Sequence, residues 1–182
     1  MLDITQDSYN KFTQFPNTSY NIIKYLIYNE EEIWKLLKYA DAEAWNKPNL
    51  TIQEKVALVY SGQPNETDFR CFSNLGQDNS WTVEACILRI APATLLPTNY
   101  VNGHQSIVFE VYSHYKIITL SDYTNRNDVV TQRLIECLNG ADIENVGRLY
   151  FDYRASPYCK SVAIGSIPFK GRGTIMCNSI LG

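Results

Sequence analysis

The sequence predicts an α+β fold: N-terminal helices followed by a mainly antiparallel β-sheet, with one helix packed against it. Three observations carry this. Helical apolar spacing and capping signals cluster over residues 19–62. The period then changes, and residues 105–115 alternate as a half-buried strand does. A single helical stripe reappears at 127–138, with strand patterns on both sides.

Residues 1–18 have no sustained period and carry Tyr9, Phe12 and Phe15 before Pro16. They read as an extended arm whose aromatics dock on something outside its own core. Ser19 is placed to cap a helix with Ile22, Ile23, Leu26 and Ile27 on one face. Asn29, with Glu32 three residues on, offers a second cap ahead of Ile33, Trp34, Leu36 and Leu37. Residues 19–40 therefore form one kinked helix or two. Thr51-x-x-Glu54 is a capping box ahead of an apolar face of Val56, Ala57, Val59 and Tyr60, with Gly62 as the terminating glycine.

Arg70–Phe72 and Thr82–Ile90 read as strands, and Pro92 and Pro97 as bounds of a loop that ends in a hairpin signal at Asn102-Gly103. In the next strand Ile107, Phe109, Val111 and Tyr115 face one way, and Ser106, Glu110 and His114 the other. A polar loop, Ser121 to Arg126, leads to a helix capped by Asn127 and ended by Asn139-Gly140. Strands follow at Gly147–Phe151, Ser161–Pro168 and Thr174–Ile180, the last two joined by a Gly-rich hairpin tip, Lys170-Gly171-Arg172-Gly173. The domain plan is thus an arm over 1–18 and a single domain over 19–182, its helical part at 19–62 and its sheet part at 69–182.

Composition bounds the function. The 182 residues are one ordinary domain, or a domain with an arm. Charged residues make up 19%, below the usual level of about 25%. The net charge of −3 disfavours a dedicated nucleic-acid binder. Thirteen tyrosines in such a chain point to extensive protein–protein contact. The N-terminus has neither a basic segment nor an apolar core like those of a signal peptide, and no apolar run is long enough to span a bilayer. Five widely spaced cysteines without a Cys-x-x-Cys read as reduced thiols. The glycosylation-like triplets at Asn17, Asn49 and Asn65 are discounted, because an Asn-rich chain produces them by chance and no secretory signal accompanies them.

Chemistry-bearing constellations are sparse. His104 and His114 share a strand, but ten residues of strand is roughly 33 Å, too far to share a metal. Glu30-Glu31-Glu32 diverge around a helix and cannot converge on one atom. Asp41 with Glu43, and Asp142 with Glu144, lack a partner motif. Gly171-Arg-Gly173 lacks the following helix that a phosphate-binding loop needs. The expectation is no catalytic residue, no cofactor and no structural metal.

The second half resembles the neck, tail-terminator and tail-completion proteins of tailed bacteriophages. The resemblance rests on an order of elements. The alternating strand Gln105–His114 runs through a polar loop into the helix Asn127–Gly140, then the short strand Gly147–Phe151 and a terminal hairpin. It covers residues 69–182 as topology; the longer helical start departs from a typical terminator and suggests a different neck ring. The resemblance implies a structural virion protein, assembled in the host cytoplasm into a homo-oligomeric ring. Such a ring ends the tail tube or joins head to tail, beside other neck, portal or tail proteins. DNA would pass through its lumen without specific binding, and no membrane is involved. The interface candidates are Tyr9, Phe12, Phe15, Tyr123, Lys170 and Arg172. The alternatives are a small hydrolase or transferase without a recognisable motif, or a monomeric binding module using Arg126, Arg133, Arg148, Arg154, Lys160, Lys170 and Arg172.

Overall fold

A computed structural model describes residues 15–61, 68–73, 84–97, 103–151, 158–160 and 169–181. The fold is α+β, with helices first, then a sheet, and one later helix. A 3-10 turn, Phe15–Asn17, feeds α1 (Thr18–Asn29); α2 (Glu32–Lys38) and the short α3 (Ile52–Ala57) follow. The strands are β1 (Cys71–Phe72), β2 (Cys86–Pro97) and β3 (Gly103–His114), then α4 (Arg126–Leu138), β4 (Asp142–Ile143), β5 (Gly147–Phe151), β6 (Tyr158–Lys160) and β7 (Phe169–Leu181).

The sheet runs β1-β2-β3-β7-β5-β4, and β6 pairs with β7 farther along. Every pairing is antiparallel except β1 with β2. Ile107, Phe109 and Val111 of β3 meet Leu88 and Ile90 of β2 and the stripes Ile22/Leu26 of α1, Ile33/Leu37 of α2 and Val130/Leu134 of α4 in one core. A smaller cluster, Phe69, Phe72 and Ile87, packs with Tyr60 and Tyr112. Arg89 lies between the Phe72 and Tyr112 rings, at 5.8 and 5.6 Å from their centroids.

Residues 19–40 are two helices, and the break is held by side chains. Glu30, not Asn29, supplies the cap of α2: its carboxylate accepts from the backbone N–H groups of Glu32 (2.9 Å) and Ile33 (3.2 Å). A carboxylate does this better than an amide because it also meets the positive end of the helix. Likewise Ser19 is buried inside α1 rather than capping it, and Asn17 makes no side-chain cap. In α4 the cap is Asn125, whose side chain accepts from Asn127 N, so Asn127 is the second helical residue and is buried.

The capping box of α3 forms as expected, with Thr51 and Glu54 bonded reciprocally. Its faces are reversed. Ile52 and Val56 are about half exposed, whereas Lys55 is only 5% exposed. The ammonium donates to Ile27 O (3.1 Å) and Glu30 O (2.9 Å) and pairs with Glu31 at 2.6 Å. These are the carbonyls that the end of α1 leaves unpaired, so a cation there outweighs two half-buried aliphatics. The predicted cap glycine, Gly62, lies outside the described residues.

Two further expectations are corrected. Pro92 and Pro97 lie within β2, not at the bounds of a loop; β2 and β3 pair antiparallel with Pro97 opposite Gly103, and Asn102 of the predicted hairpin signal lies outside the described residues. Leu88 donates its N–H outward to Arg70 O, so Pro92, two steps of two along the strand, also turns its missing donor outward. A register shift between Pro92 and Thr94 puts Pro97 in the same outward set, opposite Gly103, which shares the parity of Ile107. The strand tolerates both prolines because neither removes a bond to β3. Secondly, the 170–173 stretch is no hairpin tip: β7 is continuous, with Gly173 opposite Val111 on one side and Cys159 on the other. The predicted strand 161–168 lies outside the described residues. Tyr115 falls beyond the end of β3 and is exposed, while His114, placed by the alternation on the face opposite Ile107, is buried and its Nδ1 accepts from Lys116 N.

Cys71, Cys86 and Cys137 are free thiols. Burial pushes the Cys71 thiol up to about 12 and Cys137 to about 11, and it raises Cys86 as well. Alkylation of the native protein at mildly alkaline pH, mapped by mass spectrometry, is expected to modify these three at least about ten-fold more slowly than a free cysteine. Modification at the rate of the denatured chain would contradict that.

Candidate interaction surface

The side of α1 opposite the core repeats tyrosine and lysine at helical spacing. Tyr20, Lys24 and Tyr28 are exposed, Tyr28 at 63%, because Ile22, Ile23, Leu26 and Ile27 claim the inward stripe. Beside them, β4 follows the end of α4. Asn139 closes that helix, Gly140 turns at φ +83°, and Gly140 N donates to Leu149 O. This brings Asp142 and Glu144 alongside α1. Between the two elements lies an open-sided groove of about 200 Å³, bordered by Asn21, Lys24, Tyr25, Tyr28, Asp142 and Glu144. The frame beneath is firmly tied: the Thr18 hydroxyl meets Gln105 Oε1 at 3.1 Å, and Gln105 Nε2 donates to Val146 O. Sequence patterning picked out the inward stripe of α1 and passed over the outward one. The i, i+4, i+8 spacing of Tyr20, Lys24 and Tyr28 was the signal that could have found it.

Tyr123 is a second exposed feature. It tops the loop before α4, 92% exposed, with φ +66°. The loop is built rather than loose. Asp122 accepts from both the N–H and hydroxyl of Thr124, Leu120 N donates to Thr124 O, and Ser121 N donates to Ala42 O. A bulky side chain in the left-handed region is strained, and Tyr123 buries nothing in return. Tyr123→Gly is therefore expected to raise stability by about 0.5 kcal/mol, the strain relieved less the extra freedom of glycine in the unfolded chain. A urea midpoint that falls would show that the ring contributes contacts to its own fold.

Arg126, expected in the loop, begins α4 and is completely buried. It donates to Ile117 O (2.8 Å), Leu36 O (2.7 Å), Tyr39 O (2.9 Å) and Asp41 O (2.5 Å). Its role is to close the C-terminal end of α2, which removes it from any surface basic patch. Arg133 is similarly engaged, with Glu32 at 2.6 Å and Glu136 at 2.9 Å. The carboxylates at 30–32 sit at the break between two helices: Glu31 pairs with Lys55, while Glu30, which caps α2, and Glu32 both meet the Arg133 guanidinium, at 3.8 and 2.6 Å.

Of the sequence-derived interface candidates, Tyr9 and Phe12 lie outside the described residues. Phe15 opens the 3-10 turn before α1, so residues 15–18 of the predicted arm are helical, and residues 1–14 lie outside the described residues. Lys170 and Arg172 lie within β7, where Arg172 pairs with Tyr112 of β3 and Lys160 of β6, so they do not tip a hairpin. Tyr123 stands out into solvent. Among the described residues, no helix is long and apolar enough to cross a membrane, and no group of three or more His, Cys, Asp or Glu gathers as metal ligands would.

Residues 19–162 match the family described as YomW, so the chain belongs to that family, whose name is phage-associated. No curated protein and no solved structure matches the chain.

Proposed function

We propose that this YomW-family chain is a structural subunit of a phage particle, one copy of a closed ring in the neck or tail that joins head to tail or ends the tail tube. The observation that carries the reading is the tyrosine-bordered groove between α1 and β4, on a tightly bonded frame with a rigidly presented Tyr123 elsewhere on the surface. Tyrosines held out on a fixed backbone give contact area at low entropy cost, as subunit interfaces use them. The phage-associated family name supports the same setting. The role is mechanical and requires neither turnover nor cofactor. Its partners are further copies of itself and neighbouring neck, portal or tail proteins, and its place is the virion.

The test is electron microscopy and sedimentation of the purified protein over a concentration series, with mass spectrometry of mature particles. Rings of uniform diameter and a fixed copy number per particle are expected. A protein that stays monomeric at high concentration and is missing from particles would overturn the proposal.

A further inference from the structure

Tyr123 and the α1–β4 groove lie at opposite ends of α4. Tyr123 sits just before Arg126, the first residue of that helix, and Asp142 comes just after its last, Leu138. Thirteen helical residues separate the two ends by about 20 Å. Tyr123 therefore cannot reach the groove of its own chain. We infer that the groove receives Tyr123 of a second copy, so that copies join head to tail. This rests on the ring reading above and identifies its interface.

Size and chemistry both fit. A cavity of roughly 150 Å³ accepts a benzene ring, and the groove holds about 200 Å³. Tyr25 and Tyr28 border the groove with aromatic side chains. Asp142 and Glu144 offer carboxylate acceptors for its hydroxyl, and Asn21 and Lys24 offer donors. The projection is aromatic with a polar tip, and the recess is aromatic with polar ends. The strained and bonded loop that carries Tyr123 fixes its direction before contact, which reduces the entropy lost on docking. Because the two surfaces differ, each copy uses one to grip the next and the other to be gripped. Such a heterologous contact propagates in one sense and closes as a ring where the rotation permits.

The experiment compares sedimentation equilibrium of wild type, Tyr123→Ala and Tyr28→Ala, each checked by circular dichroism. Both residues are exposed, so both variants are expected to keep the wild-type spectrum and melting temperature. Each alone is expected to associate at least about thirty-fold more weakly, the loss usual for an anchoring aromatic. Mixed, they are expected to form one-to-one dimers: the Tyr123→Ala copy keeps an intact groove, and the Tyr28→Ala copy keeps its projecting ring. If wild type itself does not assemble, the ring reading falls and this contact with it. If wild type assembles and either variant assembles as well as it does, the ring stands and this contact is wrong. Loss in both variants without dimers in the mixture also overturns it, because a self-complementary interface would behave that way.

Discussion

Arg126→Ala is expected to remove about 4 kcal/mol of stability, the usual scale when a buried charged hydrogen-bonding group is deleted and its partners remain. Four carbonyls from three segments converge on this one guanidinium: Leu36 and Tyr39 at the end of α2, Asp41 just beyond it, and Ile117 before α4. Alanine fills none of the space and satisfies none of these acceptors. Lysine is expected to recover only a small part, since its single ammonium cannot fork towards four oxygens. Against a total of about 5–15 kcal/mol for a domain, the alanine variant would be marginal or unfolded. Urea denaturation followed by far-ultraviolet circular dichroism measures it. A loss below about 1 kcal/mol would mean that water replaces the guanidinium and that the site is far less closed than its burial indicates.

Trp34→Ala carries the next largest expectation, a loss of about 3–5 kcal/mol. Trp34 is fully buried in the main core, among the largest side chains there. Its indole N–H donates to Leu26 O at 3.0 Å, which ties α2 back onto α1 across the break at Glu30. Leu26 O also accepts from Glu30 N, so the carbonyl keeps a partner when the indole is removed. The cost is therefore mainly cavity and lost burial. Trp34→Phe, which keeps a ring, is expected to cost no more than about 2 kcal/mol. Thermal or urea unfolding of the pair separates the two contributions. Equal losses would assign the effect to the hydrogen bond instead.

The class of the fold was legible because it depends on periodicity. The Ile22/Ile23/Leu26/Ile27 stripe, the alternation of Ile107, Phe109 and Val111, and the Thr51–Glu54 capping box all appear where their spacing put them. Local signals failed where a distant partner outweighed them. Gly171 and Gly173 read as a turn, yet β3 needs a neighbour along its whole length and β7 supplies it. Pro92 read as a strand breaker, but an outward-facing edge position has no donor to lose. The apolar face predicted at Val56, Ala57, Val59 and Tyr60 gave way to Lys55, which the open carbonyls at the end of α1 draw inward. Arg126 read as a loop cation because nothing local announces that four carbonyls will meet around it. Of the candidate surface, the exposed Tyr123 was picked out from its polar loop. The groove was not, because it pairs α1 with β4, more than a hundred residues apart.

The position of β7 sets an order of events during synthesis. It is the last strand of the described chain, yet it lies in the middle of the sheet, between β3 and the β5–β6 side. A nascent chain emerges N-terminal end first. The helices and the β2–β3 pair can gather early, but β3 and β5 keep an open edge until β7 leaves the ribosome. Such long-range closure is slow, and the waiting edges invite pairing with other chains. The sheet is complete only once β7 has paired, so chains cut short before it would keep the edges of β3 and β5 open.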